Sequence, residues 1–229
     1  MAARPRGVPI AAFPLAITNV TGLAGAIDSD IEDAAYAAAL SYADALRGLA
    51  AGNTSWAVIK LYYSAFYCIR AALLLDHIIP FHHGEFYLCD AHSGAVKKGG
   101  KSSHQWQWSS VRDFKRLSEW YYSTDSTLAY EKLRDLRENA NYRFGFIDPN
   151  WPNFLLQASN VGLAKSFRTY RDDDTFFYTY LDDHMALAYP TRLLVTVGLR
   201  LSQSGLHISE ERESHLGRVW PLRDKSPLL

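Results

Sequence analysis

Basic and aromatic residues lie close together near the middle of the chain. Lys97, Lys98 and Lys101 occur in a Gly- and Ser-rich stretch, and Trp106 and Trp108 follow it directly. Ammonium groups attract phosphates and aromatic rings stack on bases, and proteins bind single-stranded nucleic acids with this combination. A solvated loop next to two core tryptophans would have the same composition. The residues therefore leave two interpretations open, a nucleic-acid-binding loop and an exposed connection.

Several histidines and one cysteine form a second group that could do chemistry, because these side chains are common metal ligands. The group consists of His82, His83, Cys89, His92 and His104. Their spacing follows neither Cys-x-x-Cys nor His-x-x-x-His, and most of them fall in predicted loops. The sequence also contains no Gly-rich phosphate loop, serine nucleophile elbow or dinucleotide-binding turn. We therefore expect no bound metal and no cofactor.

Helical periodicity dominates the elements that must position these residues. A first helix is predicted from near Ser29, which has capping-box spacing to Glu32, as far as Ala51. A second, from Thr54 to about His77, is apolar almost all round and is predicted to be the buried central helix. Further helices are predicted over residues 85–91, 110–121, 125–140, 155–169, 175–188 and 191–203, with a flexible loop over 93–105 and a less regular charged tail from 207. No segment shows convincing strand alternation, so the predicted fold class is all-α.

The predicted organisation has three parts. Residues 1–28 form an irregular N-terminal extension, residues 29–145 a helical bundle and residues 146–229 a C-terminal helical addition. The boundary between the second and third parts rests on Gly145, Pro149 and Pro152, which are typical of a junction.

Composition is typical of a soluble globular protein. The chain has 229 residues, 48% hydrophobic and 21% charged, and a formal net charge of zero, which argues against disorder and against bulk binding to duplex DNA. Two cysteines do not indicate a disulfide framework, so a reducing cytoplasm is expected. Lys60 and Arg70 within the apolar second helix argue against a membrane span.

Two segments carry a resemblance to a known superfamily. The first reads YYSAFYCIRAALLL over residues 62–75 and is followed by Ile79-Pro80 and His83-Gly84, and the second reads LRDLRENANY over residues 133–142. Together they resemble the HEPN superfamily, whose members are helical bundles found in prokaryotic toxin–antitoxin pairs, in phage-defence effectors and beside nucleotidyltransferases. The resemblance covers residues 29–142, and it implies a HEPN-like helical bundle.

Many HEPN members are metal-independent ribonucleases that use an Arg, usually followed by a polar residue, and a His a few positions later. The resemblance places Arg137 at the Arg position and Glu138 at the polar one, and Tyr142 stands where the His is expected. Attack by a 2′-hydroxyl needs a proton acceptor near neutral pH and a fixed cation on the phosphate. A phenol, with an ordinary pKa of about 10, is a poor base at pH 7. The pattern is therefore similar to HEPN branches that lack the nuclease histidine.

The resemblance also implies roles for the residues of this late helix. In a catalytic protein Arg137 would stabilise charge on the phosphate, Tyr142 and Asn141 would position the substrate, and a nearby His would move protons. Nucleic-acid binding would use Arg137, Asn141 and Arg143, together with Lys97, Lys98 and Lys101. Arg137 and Tyr142 equally fit a structural pair that satisfies buried polar groups.

Arg70 and His77 have a similar Arg–His spacing, but they lie on the predicted central helix. Both residue types are common, so we interpret this spacing as coincidental rather than as a site.

The predicted function is that of an RNA- or nucleotide-associated component of a prokaryotic defence or toxin–antitoxin-type system, with metal-independent ribonuclease activity as one option. The alternative is a non-catalytic helical adaptor that binds or regulates a larger effector protein. Tyr and Trp, which are enriched at interfaces, are abundant and favour a protein partner. A homodimer is expected by analogy with HEPN ribonucleases.

Overall fold

A long helical hairpin forms the centre of the structure. The computed structural model describes residues 22–99, 124–143 and 162–229. Helix α1 spans Leu23–Ala50 and helix α2 spans Thr54–Leu75. Gly52 takes a left-handed conformation, with φ of 76°, in the short turn that joins them. Because α1 presents a stripe of small buried residues, the two helices pack closely along their length; the stripe consists of Ala34, Ala35, Ala38, Ala39 and Ala45.

The predicted start of α1 was wrong. The helix begins at Leu23 rather than near Ser29, and Gly22 occupies the N-cap position without a side-chain cap. The Glu32 carboxylate accepts a hydrogen bond from the backbone N–H of Ser209, so it serves a distant part of the chain instead of a capping box.

Helix α2 is the buried central helix, as predicted. Leu61, Tyr62, Ile69 and Leu73 are fully buried, and Cys68 is a buried free thiol whose pKa is raised by burial. Among the described helices, α2 is long and apolar enough to cross a membrane, but 72% of its apolar window is buried inside the protein. Its apolar character is therefore accounted for by the core.

A small antiparallel sheet follows α2. Within the described residues the fold is mostly helical, roughly as expected, with the addition of three strands that the all-α expectation did not include. Strand β1 spans Ile78–His83, β2 spans Glu85–Asp90 and β3 spans Val96–Lys98, in the order β1-β2-β3. Pro80 pairs with Leu88 and Phe81 with Tyr87, across a turn at Gly84 with φ of 71°.

The helix predicted over residues 85–91 was therefore wrong. Phe86 and Leu88 are buried while Glu85 and Tyr87 are more exposed, which is the period-two pattern of a strand with one face on the core. Strand β3 lies within the segment 93–105, which was predicted to be a flexible loop. Its residues are extended because they pair with Tyr87, Leu88 and Cys89 of β2.

Helix α3 spans Thr124–Glu138, close to its predicted position, and packs on α2. Its last turn continues into a π-helical turn over Asn139–Arg143. Tyr130 and Leu133 are buried, and they face the core from this helix.

The C-terminal region contains helix α4 over Leu163–Arg171, a 3₁₀ helix over Phe177–Tyr180, helix α5 over Met185–Gln203 and helix α6 over Glu210–Val219. The predicted helix over 175–188 was wrong, since only the short 3₁₀ helix and the start of α5 lie there. The sequence predicted a second, separate helix over 191–203, but α5 runs without a break from Met185 through Pro190 because residues 185–194 are buried against the core. The tail, expected to be less regular, contains α6, whose acidic first turn complements the helix dipole.

A single hydrophobic cluster joins these elements. Tyr42 of α1 lies against the rings of Phe167 and Trp220, and its hydroxyl hydrogen-bonds to Thr191 of α5 over 2.5 Å. Helix α5 also packs on α2, so residues 162–229 contribute to the same core as the hairpin. The helix predicted over 110–121, the junction after Tyr142 and the part of the 155–169 helix before 162 lie outside the described residues.

Candidate functional site

Arg137 lies in the last turn of α3, where its guanidinium is surrounded by tyrosine rings. The guanidinium carbon is 5.6 Å from the ring centroid of Tyr62, 5.8 Å from that of Tyr63 and 5.6 Å from that of Tyr142. Cations are attracted to aromatic ring faces at such distances. We call these four residues the Arg137 cluster.

The π-helical turn explains how Tyr142 reaches Arg137. The two residues are five positions apart, and in an α-helix of 3.6 residues per turn they would point about 140° away from each other. A π-helix closes i→i+5 hydrogen bonds and so has a wider turn, which brings residue i+5 back towards the face of residue i. Tyr142 therefore shares a face with Arg137, and Asn141 is exposed to solvent.

Hydrogen bonds of the tyrosine hydroxyls hold the cluster in place. The Tyr63 hydroxyl accepts a hydrogen bond of 3.3 Å from Nη2 of Arg137. Behind it, the hydroxyls of Tyr62 and Tyr130 lie 3.2 Å apart. Burial raises the pKa of Tyr62 to about 12 and raises that of Tyr130 well above the ordinary value. These phenols are neutral at physiological pH, so they act as packing surfaces and hydrogen-bonding groups rather than as bases.

The charge of Arg137 is not neutralised within the described part of the chain. Arg137 forms no ion pair there, and its buried Nε has no hydrogen-bond partner. In contrast, Arg134, one turn earlier, pairs with Asp135 at 3.1 Å. A fixed guanidinium without a carboxylate partner is suited to bind an anion, since its planar fork matches phosphate oxygens.

Exposure differs sharply within the cluster. Tyr62 is fully buried and Tyr63 is half-buried, but Tyr142 is 74% exposed. Tyr142 is therefore the ring of the cluster that a ligand from solvent can contact most fully.

The other predicted nucleic-acid-binding residues lie elsewhere or outside the described residues. Lys97 and Lys98 lie on strand β3, opposite Leu88 and Tyr87. The ammonium group of Lys98 pairs with the carboxylate of Glu85, which raises the pKa of Lys98. Its charge is therefore partly offset within the sheet. Two of the predicted binding residues are not described, Lys101 entirely and Arg143 in its side chain. His104, Trp106 and Trp108 also lie outside the described residues.

The structure brings no histidine to Arg137 among the contacts it describes. His77 follows Asp76, the C-cap residue of α2, in a left-handed conformation with φ of 58°, and its ring packs edge-on against that of His92 with centroids 4.5 Å apart. Arg70 is half-buried on α2. Residues 22–99, 124–143 and 162–229 contain no group of three or more His, Cys, Asp or Glu side chains placed to hold a metal ion.

Tyr62, Tyr63 and Tyr130 were not predicted as site residues. All three lie in segments with recognisable helical periodicity, but their roles depend on how α2 and α3 pack, which local sequence does not specify. The adjacent Tyr62 and Tyr63 on a core helix were the available signal, because a buried tyrosine hydroxyl usually has a hydrogen-bond partner.

No protein-family model, curated protein or solved structure matches this chain. The described residues form a mostly helical protein with a small sheet, in which tyrosine rings surround the Arg137 guanidinium.

Proposed function

We propose that this chain is an RNA- or nucleotide-binding component of a prokaryotic defence or toxin–antitoxin-type system, and that the Arg137 cluster is its binding site. The observation that carries the proposal is a guanidinium without an ion pair in the described residues, held between tyrosine rings beside the 74% exposed Tyr142. Phosphate binding by Arg together with aromatic stacking is the combination that nucleic-acid-binding proteins use.

The resemblance to HEPN proteins supports the same assignment. Both segments that carry it form helices, α2 and α3, and these helices pack on each other. Their contact includes Arg137 beside Tyr62 and Tyr63. The strand at Ile79-Pro80 and the turn at Gly84 add a β-hairpin to the segment that follows α2.

Arg137 would hold a phosphate, and Tyr142 and Asn141 would position the nucleotide. Cleavage through 2′-hydroxyl attack would also need a group that moves protons near neutral pH, and imidazole is the usual one.

A homodimer would bring residues of a second copy to the cluster, as in the composite sites of HEPN ribonucleases. Light scattering of the purified protein measures whether that dimer exists.

Binding and cleavage assays test the proposal. Labelled single-stranded RNA and tRNA are incubated with the protein in EDTA, beside Arg137→Ala and the matched control Arg47→Ala. Arg47 is an exposed arginine that pairs with Asp44 outside the cluster, so its removal changes the net charge equally. Circular dichroism confirms that both variants keep their helicity.

The proposal expects the wild type and Arg47→Ala to bind RNA and Arg137→Ala to lose most of that binding. Cleavage that persists in EDTA and disappears in Arg137→Ala would establish the metal-independent ribonuclease option. Equal binding by all three proteins, or none by any of them, would contradict the proposal.

The alternative is a non-catalytic adaptor that binds or regulates a larger effector protein. Two observations favour it: Arg137 contacts phenols and no imidazole among the described residues, and several large apolar side chains are exposed. These are Trp56, Leu128, Phe177, Tyr180 and Leu199. Exposed aromatic residues are typical of protein interfaces. An adaptor would keep its function in Arg137→Ala, which separates it from the nucleic-acid-binding proposal.

A further inference from the structure

Tyr142 differs from the other aromatic residues of the cluster in what it can offer a ligand. One side of its ring faces the Arg137 guanidinium at 5.6 Å, and 74% of the residue is exposed. Tyr62 and Tyr63 have their rings against the core and against each other, with centroids 5.5 Å apart. The π-helical turn therefore creates an exposed aromatic surface directly beside a fixed cation.

Part of the Arg137 N–H fork is without a partner in the described residues. Three tyrosine rings lie within 5.8 Å of the guanidinium carbon. Nη2 donates to Tyr63, and Nη1 has no hydrogen bond within the described residues. A ligand can therefore accept a hydrogen bond from Nη1, and N–H groups of this fork bind phosphate oxygens. Because tyrosine rings already surround the guanidinium, the surface that remains for a base is the exposed ring of Tyr142.

From this arrangement we propose that Tyr142 is a base-stacking residue, and that the cluster takes one unpaired nucleotide of a single strand, with the phosphodiester on Arg137 and the base on the outer face of Tyr142. This inference rests on the proposed function and specifies its ligand. A base inside a duplex has both faces covered by neighbouring base pairs, so stacking on Tyr142 would require it to leave the stack. The cluster consequently selects single strands over duplexes.

The test separates stacking from charge by measuring affinity as a function of salt. Fluorescence anisotropy gives the Kd of labelled 12-nucleotide single-stranded RNA, single-stranded DNA and duplex RNA at several salt concentrations. Competition with inorganic polyphosphate, which has charge but no bases, gives its affinity. The variants are Tyr142→Ala, Tyr142→Phe and Arg137→Ala, with Tyr180→Ala as the control because Tyr180 is an exposed tyrosine outside the cluster.

We expect Tyr142→Ala to weaken single-strand binding about 5- to 150-fold, the range found when a stacking aromatic residue is removed. Its salt dependence and its affinity for polyphosphate should stay those of the wild type, and Tyr142→Phe should bind normally. The plot of log K against log salt has a negative slope. Arg137→Ala should make this slope shallower by about 0.7, as expected for one lost phosphate contact with a single strand. Comparison of the RNA and DNA arms shows whether the sugar contributes.

Two results would overturn the stacking role while leaving the proposed function in place. One is full affinity of Tyr142→Ala while Arg137→Ala loses binding. The other is a parallel loss of RNA affinity, polyphosphate affinity and salt slope in Tyr142→Ala, which would mean that Tyr142 only orients Arg137. Duplex binding as tight as single-strand binding would contradict the selection of unpaired nucleotides. A wild type that binds none of the probes would overturn both this inference and the proposed function.

Discussion

The hydroxyl groups of Tyr62 and Tyr130 lie 3.2 Å apart, at the contact between α2 and α3. Their ring centroids are 5.7 Å apart, and both side chains are buried. Because both phenols are neutral at physiological pH, the pair joins the two helices through a hydrogen bond rather than through charge. It sets the position of α3 on α2 about two turns before Arg137, so it also determines where the guanidinium meets Tyr62 and Tyr63.

A double-mutant cycle with Tyr62→Phe and Tyr130→Phe should show coupling between the two hydroxyls. We expect the two single changes and the double change to differ from additivity by about 0.5–1.5 kcal/mol, the usual net contribution of a hydrogen bond. Urea unfolding of the four proteins measures this. Strictly additive losses would mean that the two hydroxyls do not interact.

Alkaline pH should destabilise the protein in part through Tyr62. Burial raises the folded pKa of Tyr62 to about 12, whereas an unfolded tyrosine titrates near about 10. The resulting stabilisation is fully present below pH 10 and is lost as the pH rises towards 12, because the unfolded chain releases its proton first. One such group should lower the free energy of unfolding by about 1 kcal/mol between pH 10 and pH 11.

Urea unfolding at pH 10 and pH 11 compares the wild type with Tyr62→Phe. The variant should lose about 1 kcal/mol less than the wild type over this interval, since its side chain cannot ionise. Equal losses in the two proteins would show that Tyr62 has an ordinary pKa in the folded state.

Arg192 should stabilise the turn that follows α4. Its side chain is only 6% exposed, its Nη1 donates to the carbonyl of Arg171 at the end of α4, and its guanidinium carbon lies 4.9 Å from the ring centroid of Phe176. Arg192→Ala should lower the free energy of unfolding by about 2–4 kcal/mol, through lost packing and an unpaired helix-end carbonyl. Hydrogen exchange should increase over residues 171–180.

Two matched variants separate the contributions at Arg192. Asp174 is 94% exposed and lies 3.5 Å from Nη2, so Asp174→Asn should change stability by less than about 1 kcal/mol. Arg192→Met keeps much of the packing, and it should cost less than Arg192→Ala. If Asp174→Asn were as damaging as Arg192→Ala, the ion pair rather than the burial would hold the turn.

Gly198 should be essential for the contact between α5 and the C-terminal segment. A Cβ at this position would lie 2.2 Å from the carbonyl oxygen of Pro227, closer than any tolerated contact. Gly198→Ala should therefore displace the segment around Pro227 and lower the melting temperature. Gly217 of α6 has no atom within 4 Å of an added Cβ, so Gly217→Ala should be neutral or stabilise by up to about 1 kcal/mol. Similar melting temperatures for the two variants would contradict this packing.

Helices with strong periodicity could be predicted from the sequence, and the sheet could not. The apolar positions of α1, α2 and α3 recur at helical spacing; α2 and α3 were found close to their predicted positions, and α1 was found with its predicted end but an earlier start. In the segment 85–90, apolar residues occupy four consecutive positions from Phe86 to Cys89, so the pattern does not distinguish a helix from a strand. Its conformation depends on pairing with β1 and on the burial of Phe86 and Leu88 in the core.

Pro190 and the tail show how tertiary contacts override local signals. A proline is expected to end a helix, but α5 continues through it because the surrounding turns are buried on most sides. Arg212 of α6 pairs with Glu32 and Asp33 of α1, which gives a charged tail segment a helix to pack on. Neither contact can be inferred from residues close in sequence.

The candidate site was only partly predictable for a related reason. Arg137, Asn141 and Tyr142 were named from a motif, and the placement of Arg137 beside Tyr63 follows from the packing of two helices far apart in sequence. The sequence of residues 139–143 does not predict a π-helical turn, although this turn decides which residue faces Arg137. Lys97 and Lys98 belong to a strand whose existence the sequence did not predict.

NMR of the Arg137 side chain shows directly whether RNA contacts this residue. Its Nε is buried, so the Nε–H group should exchange slowly enough with water to be followed by nitrogen-15 NMR, with assignment from the Arg137→Lys variant. Addition of a short single-stranded RNA should shift the Arg137 Nε–H resonance saturably and leave unchanged that of Arg192, whose Nε is also buried. An Arg137 resonance that stays in place while RNA binds, or RNA that does not bind at all, would contradict the assignment of this cluster as the binding site.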